Sequence, residues 1–113
     1  MNWYIVKLTY RIICGNGKHT PQFDEQLRLI SATDEASALF KARKIGESGS
    51  QVFFNENNQL VQWQFINISE LNCINDWSDG AEVHSTITEA DNADAYINLL
   101  TDKAAMLDGR YLS

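Results

Sequence analysis

Trp3-Tyr4-Ile5-Val6-Lys7-Leu8-Thr9-Tyr10-Arg11-Ile12-Ile13 is the stretch that decides how this chain is built. Tyr4, Val6, Leu8, Tyr10 and Ile12 are apolar or aromatic, and they interleave with Lys7, Thr9 and Arg11. A period of two belongs to a strand with one buried and one wetter face. The segment that follows, Cys14-Gly15-Asn16-Gly17-Lys18-His19-Thr20-Pro21, is dense in turn formers and reads as a connector. A second strand is expected over Gln22 to Ile30. Phe23, Leu27 and Leu29 lie on one face, and Gln22, Asp24, Gln26 and Arg28 on the other. So short a connector favours an antiparallel hairpin. Matching the two apolar faces sets even residues of the first strand against odd residues of the second. Arg11 then shares a face with Asp24, within reach of a cross-strand ion pair.

Farther along, Thr33 is a good N-cap, with Asp34 and Glu35 in the first turn of a helix. Ala36, Leu39, Phe40, Ala42 and Ile45 recur at helical spacing, and Gly46 is placed as the C-terminal glycine. Lys41, Arg43 and Lys44 fall near the expected helix end, where cations offset the dipole. A short strand over Gln51 to Phe54 and an asparagine-rich turn, Asn55-Glu56-Asn57-Asn58, come next. In the β-prone run Leu60 to Leu71, Val61, Trp63 and Phe65 have one parity, Ile66 and Ile68 the other. That switch means a bulge or a strand covered on both faces. Ala81, Val83, Ser85 and Ile87 alternate as a further strand. Asp91 or Asn92 then caps a last helix with the stripe Ala93, Tyr96, Ile97, Leu100, Ala104 and Leu107, ended by Asp108-Gly109.

The order is β-β-α-β-β-β-α. The expected fold is α+β, a two-layer sandwich with a mainly antiparallel sheet of about five strands and both helices on one face. Trp3, Ile5, Trp63 and Ile68 cannot all face those helices. Surplus apolar surface is a natural subunit interface, with Trp3 and Trp63 as its candidates.

At 113 residues the chain is expected to form one domain over 1–113. Chains of this size bury roughly 65% of their unfolded surface, enough for one core. A composition 44% hydrophobic and 21% charged, with one proline, is globular rather than disordered. No apolar run reaches the ~18 residues a bilayer span needs. The start lacks the pattern of a signal peptide, so a cytoplasmic protein without membrane contact is expected. Two cysteines, Cys14 and Cys73, make no disulfide framework and read as small buried thiols. A net charge of −6 with scattered basic residues disfavours nucleic acid.

Several groupings suggest chemistry, each with a plainer reading. Gly15-Asn16-Gly17-Lys18-His19 resembles a phosphate loop superficially. The glycine required five residues before Gly17 is Ile12, His19 replaces Ser or Thr, and a strand follows instead of a helix. An ordinary glycine turn is the simpler account. Cys14, His19, Cys73 and His84 suffice in number for zinc, but their spacing matches no compact knuckle. No Cys–His pair or Ser–His–Asp set sits at an activating turn. Asp76, Asp79 and Glu82 lack the calcium-loop pattern. Glu25 has the parity of Phe23 and Leu27, so it points toward the expected core and wants a partner, for which Tyr10 is placed. A strand-end carboxylate reaching solvent is the alternative. Trp77 has no core periodicity and either plugs a sheet edge or marks a contact surface.

Five short motifs stand in order: Trp3-Tyr4, Phe23-Asp24-Glu25, Asp34-Glu35-Ala36, Trp63-Gln64-Phe65 and Asp79-Gly80-Ala81-Glu82-Val83-His84-Ser85. Together they resemble a small bacterial family, domain of unknown function 4288, over about residues 3 to 88. Asp24 and His84 depart from that family's usual Phe-Glu-Glu and Glu-Val-Tyr-Ser patterns, so a role of that tyrosine hydroxyl does not carry over. The resemblance implies a bacterial α+β domain and brings no activity, cofactor or catalytic residue.

The functional expectation is a non-enzymatic binding or protein-interaction module that self-associates, most simply as a dimer, through a sheet face or edge. It needs no cofactor or metal and has no catalytic residue. Its binding candidates are Tyr10, Arg11, Glu25, Trp77 and His84. An acidic, inhibitor-like protein for a basic partner is the first alternative. A small-ligand receptor or enzyme with a polar site near Glu25 and Tyr10 is the second.

Overall fold

The structure, a computed structural model, describes residues 1–112. Its elements in chain order are β1 (Asn2–Cys14), β2 (Gln22–Ala32), α1 (Glu35–Ser48), β3 (Gln51–Phe54), β4 (Leu60–Ile74) and α2 (Ala93–Tyr111). The strands form one curled sheet in the order β2-β1-β4-β3, with every neighbouring pair antiparallel. Gly15 and Gly17 take φ of +60° and +78° in the β1–β2 turn, and Asn58 takes +62° in the β3–β4 turn. These are left-handed conformations open to glycine and asparagine.

One face of the sheet, the inner face, carries the core. Tyr4, Val6, Leu8 and Tyr10 of β1 are buried there beside Ile30 and Ala32 of β2. The parity switch in β4 is resolved by two register shifts against β1, between Lys7 and Leu8 and between Thr9 and Tyr10. Ser69 and Ile66 are the residues left over at these bulges. Val61, Trp63, Phe65, Ile68, Leu71 and Cys73 therefore all reach the β1 partners of the inner face, across one change of parity after another.

α1 covers this face with small residues. Ala38, Ala42 and Gly46, four apart, are its buried positions. A β-carbon on Gly46 would collide with the Phe65 ring, and one on Gly49 with the Tyr10 hydroxyl. Tyr10 Oη donates to the Gly46 carbonyl at 2.8 Å, tying the last turns of α1 to the centre of the sheet. The helix starts one residue later than Thr33 suggests. Asp34 is the N-cap and accepts the Ser37 amide at 2.7 Å. That bond, with the Ser37 hydroxyl beside it, holds the Asp34 carboxyl below the usual carboxylate range. The helix also runs through Gly46 to a cap at Gly49, because the glycine is needed for close approach rather than for stopping. Lys41 and Lys44 consequently lie mid-helix, on the Ser31 carbonyl and over the Phe40 ring.

Three expectations are corrected. The sheet has four strands, and Ala81 to Ile87 forms none. Alternation marks a segment able to pair, but pairing needs an edge to lie along, and this segment is anchored across a face instead. The hairpin register is also the other one. Tyr10 stands opposite Asp24 and Arg11 opposite Phe23, even against even. Phe23, Leu27 and Leu29 consequently face away from α1, and Arg11 does not share a face with Asp24. Finally, α2 does not join α1 on the sheet. Among the described residues it contacts no other helix or strand, and none of its residues is buried. Asn92 caps it by accepting the Ala95 amide, and it passes through Gly109 to Tyr111.

Candidate functional site

The second face of the sheet, the outer face, has no helix over it. Odd-numbered residues of β1 and β2 line it: Trp3, Ile5, Lys7, Thr9 and Arg11 beside Phe23, Glu25, Leu27 and Leu29. Phe23, Leu27 and Leu29 are 55%, 57% and 53% exposed, so more than half of each large apolar side chain meets water. Their row follows β2, the outermost strand at this side of the sheet. Glu25 interrupts this row between Phe23 and Leu27, so its continuous part is Leu27 and Leu29, two large apolar side chains on an uncovered sheet face of the kind that marks a contact site.

The segment after β4 closes one end of this face. Trp77 meets Trp3 edge to face, with ring centroids 6.1 Å apart. The preceding turn is fixed by Asp76, which accepts both the Ser78 hydroxyl and the Ser78 amide at 2.9 Å. Those two bonds, the hydroxyl first, lower the Asp76 pKa. Farther along, His84 Nε2 lies 3.5 Å from Glu70 Oε2, and Lys7 Nζ lies 3.7 Å from the same oxygen. These are partly exposed pairs of small energetic weight, and their use is to lay the segment against the sheet. Lys7 and Glu70 were not among the sequence candidates. Nothing in their local patterns joins residues that only the β1–β4 register brings together.

The structure gathers Trp3, Arg11, Glu25, Trp77 and His84 on the outer face. It places Tyr10 and Trp63 on the inner one, their rings tilted 6.1 Å apart. Tyr10 is 2% exposed and spends its hydroxyl on Gly46. Glu25 is exposed and stands opposite Thr9. A polar site shared by Tyr10 and Glu25 is therefore not formed, because the two residues lie on opposite faces of one sheet. The outer face is instead a mixed surface, apolar at Trp3, Ile5, Leu27 and Leu29 and charged at Lys7, Arg11, Glu25 and Glu70.

A groove of about 700 Å³ opens at the far end of the hairpin, between the connector and Gln59. Its chemistry is used internally. The amides of Cys14, Gly15, Gly17, Lys18 and His19 are bonded to His19 Nε2, the Leu60 carbonyl, the Cys14 carbonyl, Asn16 Oδ1 and the Gly17 carbonyl. None of these five is left to cradle a phosphate. Because His19 Nε2 accepts the Cys14 amide at 3.0 Å, the neutral ring carries its proton on Nδ1, facing the Thr20 carbonyl at 2.9 Å. Both ring nitrogens are thus engaged by backbone groups, and the Cys14 thiol lies among the carboxamides of Asn55 and Gln59. Cys73 is opposite Tyr4, ten residues of β1 away from Cys14, and both thiols are free. Roughly 30 Å of strand separates them.

No helix of the described residues is long and apolar enough to cross a membrane. A model of the family described as Domain of unknown function (DUF4288) matches residues 3–85. No curated protein and no solved structure matches the chain. The match takes in the sheet, α1 and the segment that carries Trp77 and His84, and it stops short of α2. On this match the chain belongs to the DUF4288 family.

Proposed function

We propose that this DUF4288 domain is a non-enzymatic protein-interaction module, that it works as a homo-oligomer, and that it takes its partner on the outer face of the sheet. The row Phe23, Leu27 and Leu29, exposed beside Trp3 and Trp77, carries the reading. Ile5 stands beside Leu29 with Trp3 next along β1, so the apolar patch is two strands wide at that end of the sheet, while Lys7 and Arg11 stand beside Leu27 and Phe23. Two strands span about 10 Å, the width of one helix with its side chains. The fitting occupant is an amphipathic helix, the same kind of element that α1 supplies to the inner face.

Two measurements test this. The native mass of the purified chain should be a clean multiple of 12.8 kDa. A fixed excess over a multiple would reveal a retained small molecule and overturn the non-enzymatic reading. A strict monomer at high micromolar concentration would overturn self-association. The double variant Leu27→Asp with Leu29→Asp should then leave the unfolding free energy within about 0.5 kcal/mol of wild type, since both side chains face water. It should also abolish the tryptophan fluorescence change produced by a leucine-rich amphipathic helical peptide. A peptide response equal in variant and wild type would remove the outer face from consideration.

A further inference from the structure

α2 is an amphipathic helix with nothing to be amphipathic toward. Its six residues Ala93, Ile97, Leu100, Ala104, Leu107 and Tyr111 recur four and three apart in alternation. That is the spacing of a coiled-coil seam, widened on one side by Tyr96. A β-branched residue, Ile97, and the leucines Leu100 and Leu107 take the alternate seam positions that favour two strands. The charges beside the seam are sorted as well. Asp94, Thr101 and Asp108 flank one side, while Tyr96, Lys103 and Arg110 flank the other.

That sorting selects an orientation. In a parallel pair, the residue flanking one side meets the partner residue five positions on, so Lys103 of each copy faces Asp108 of the other, twice over. In an antiparallel pair, each side meets its own kind, acid against acid and base against base, which repels. Size points to a partner for the chain. The chain exposes 8727 Å² where a compact 12.8 kDa monomer exposes about 6,300 Å². Its radius of gyration is 18.2 Å where about 13 Å is usual for this length. The surplus of about 2,400 Å² per chain, only part of it on α2, leaves room for the roughly 2,000 Å² or more that the two chains of a permanent homodimer bury together.

We infer that α2 is the dimerisation element of this protein and that its occupant is α2 of a second copy, in a parallel two-stranded coiled coil. The pairing rests on the reading of the chain as self-associating and names the element responsible. The outer face of each sheet stays free for a different partner.

The test uses the full chain. Sedimentation equilibrium should give a dimer for the wild type and a monomer for Leu100→Asp with Leu107→Asp. Unchanged tryptophan fluorescence would show that the sheet, which holds Trp3 and Trp63, stays folded. Leu99→Asp with Met106→Asp lies off the seam and should remain a dimer. With Cys14→Ser and Cys73→Ser as background, Ala93→Cys should form a disulfide-linked dimer on mild oxidation. A parallel pair sets the two position-93 residues side by side, and an antiparallel pair would part them by most of the helix, about 28 Å. A wild-type dimer that survives the seam variant but is lost in Leu27→Asp with Leu29→Asp would overturn the α2 pairing and leave self-association standing. A wild-type monomer would overturn both. A dimer without cross-linking would overturn the parallel arrangement.

Discussion

α1 and α2 begin in the same way. Asp34 accepts the Ser37 amide and Asn92 accepts the Ala95 amide, each filling one of the bonds a helix start leaves open. Glu35 and Asp94 put an acid in each first turn. From there the helices diverge. α1 places Ala38, Ala42 and Gly46 against the sheet, so its backbone comes close and its large residue Phe40 stays outside, 62% exposed. α2 displays Ile97, Leu100 and Leu107, each about half exposed, to no element of its own chain. A helix is specified by its caps and its period, whereas its partner is specified by the size of the residues on one face. Small residues accept a crowded sheet. A row of leucine and isoleucine requires a partner with room for them.

Glycine-to-alanine substitution exposes this difference most directly. At Gly46 the new methyl meets the Phe65 ring inside a filled core, and overpacking of that kind costs about 1–3 kcal/mol. Gly46→Ala should lower the thermal midpoint of the sheet accordingly. At Gly109 nothing lies within 4 Å of the added carbon. There no clash opposes the helix propensity of alanine, and Gly109→Ala should increase far-UV helical dichroism, with a gain of up to ~1 kcal/mol for α2. Substitutions of equal sign at the two sites would erase the contrast between a packed and an unpacked helix.

The same contrast explains what could be read before the structure. β3 is legible to the residue and the Asn58 turn follows from composition, whereas the parity switch in β4 allows either a bulge or a doubly covered strand, and the register against β1 decides for bulges. Both helices follow from capping residues and period. The face that each strand buries does not. Phe23, Leu27 and Leu29 alternate as well as Tyr4, Val6 and Leu8 do, and alternation says only that a strand has two faces. The choice is made by Ile30 and Ala32, which continue the other parity of β2 into the core. It is reinforced by a connector length that sets Ile12 against Gln22. Tyr10 and Glu25 therefore part company, and with them the polar site. The spacing of Ala38, Ala42 and Gly46 was a usable sign of close packing, obscured because a glycine near a helix end suggests a stop. Trp77 could be expected at a surface, but its contact with Trp3 depends on a chain path that no local pattern encodes.

Tyr10 offers a finer test. Its hydroxyl joins β1 to α1, and the Gly46 carbonyl keeps the Gly49 amide as a second donor at 3.1 Å when the hydroxyl is removed. Tyr10→Phe should therefore cost about 1 kcal/mol, the net worth of one hydrogen bond, measurable by urea denaturation. The ring contacts with Trp63 and Phe65 are retained in the variant. Tyr96→Phe on α2 should change the same measurement by less than about 0.5 kcal/mol, because no packed neighbour is lost. A large effect at Tyr96 would give that hydroxyl a partner that the seam between two α2 helices does not supply.

The smallest effect separates the two caps by pH. Asp34 has its pKa lowered by the Ser37 amide, and then by the Ser37 hydroxyl, from an ordinary 3.8. Its folded value lies below its unfolded one, so within that window the unfolded chain binds more protons and stability falls as pH falls. The contribution is complete above the ordinary value and is lost as the pH drops through the folded one. Asn92 accepts the same kind of bond without titrating. Asp34→Asn should therefore keep the cap and remove its acid sensitivity, and denaturation midpoints of variant and wild type should converge only below the ordinary carboxylate range. Asn92→Asp should bring the same sensitivity to α2, read as helical dichroism lost at acid pH while the tryptophan signal of the sheet is unchanged. If that signal moved together with the dichroism, α2 and the sheet would be one cooperative unit, and the separation between the helices would exist in neither stability nor shape.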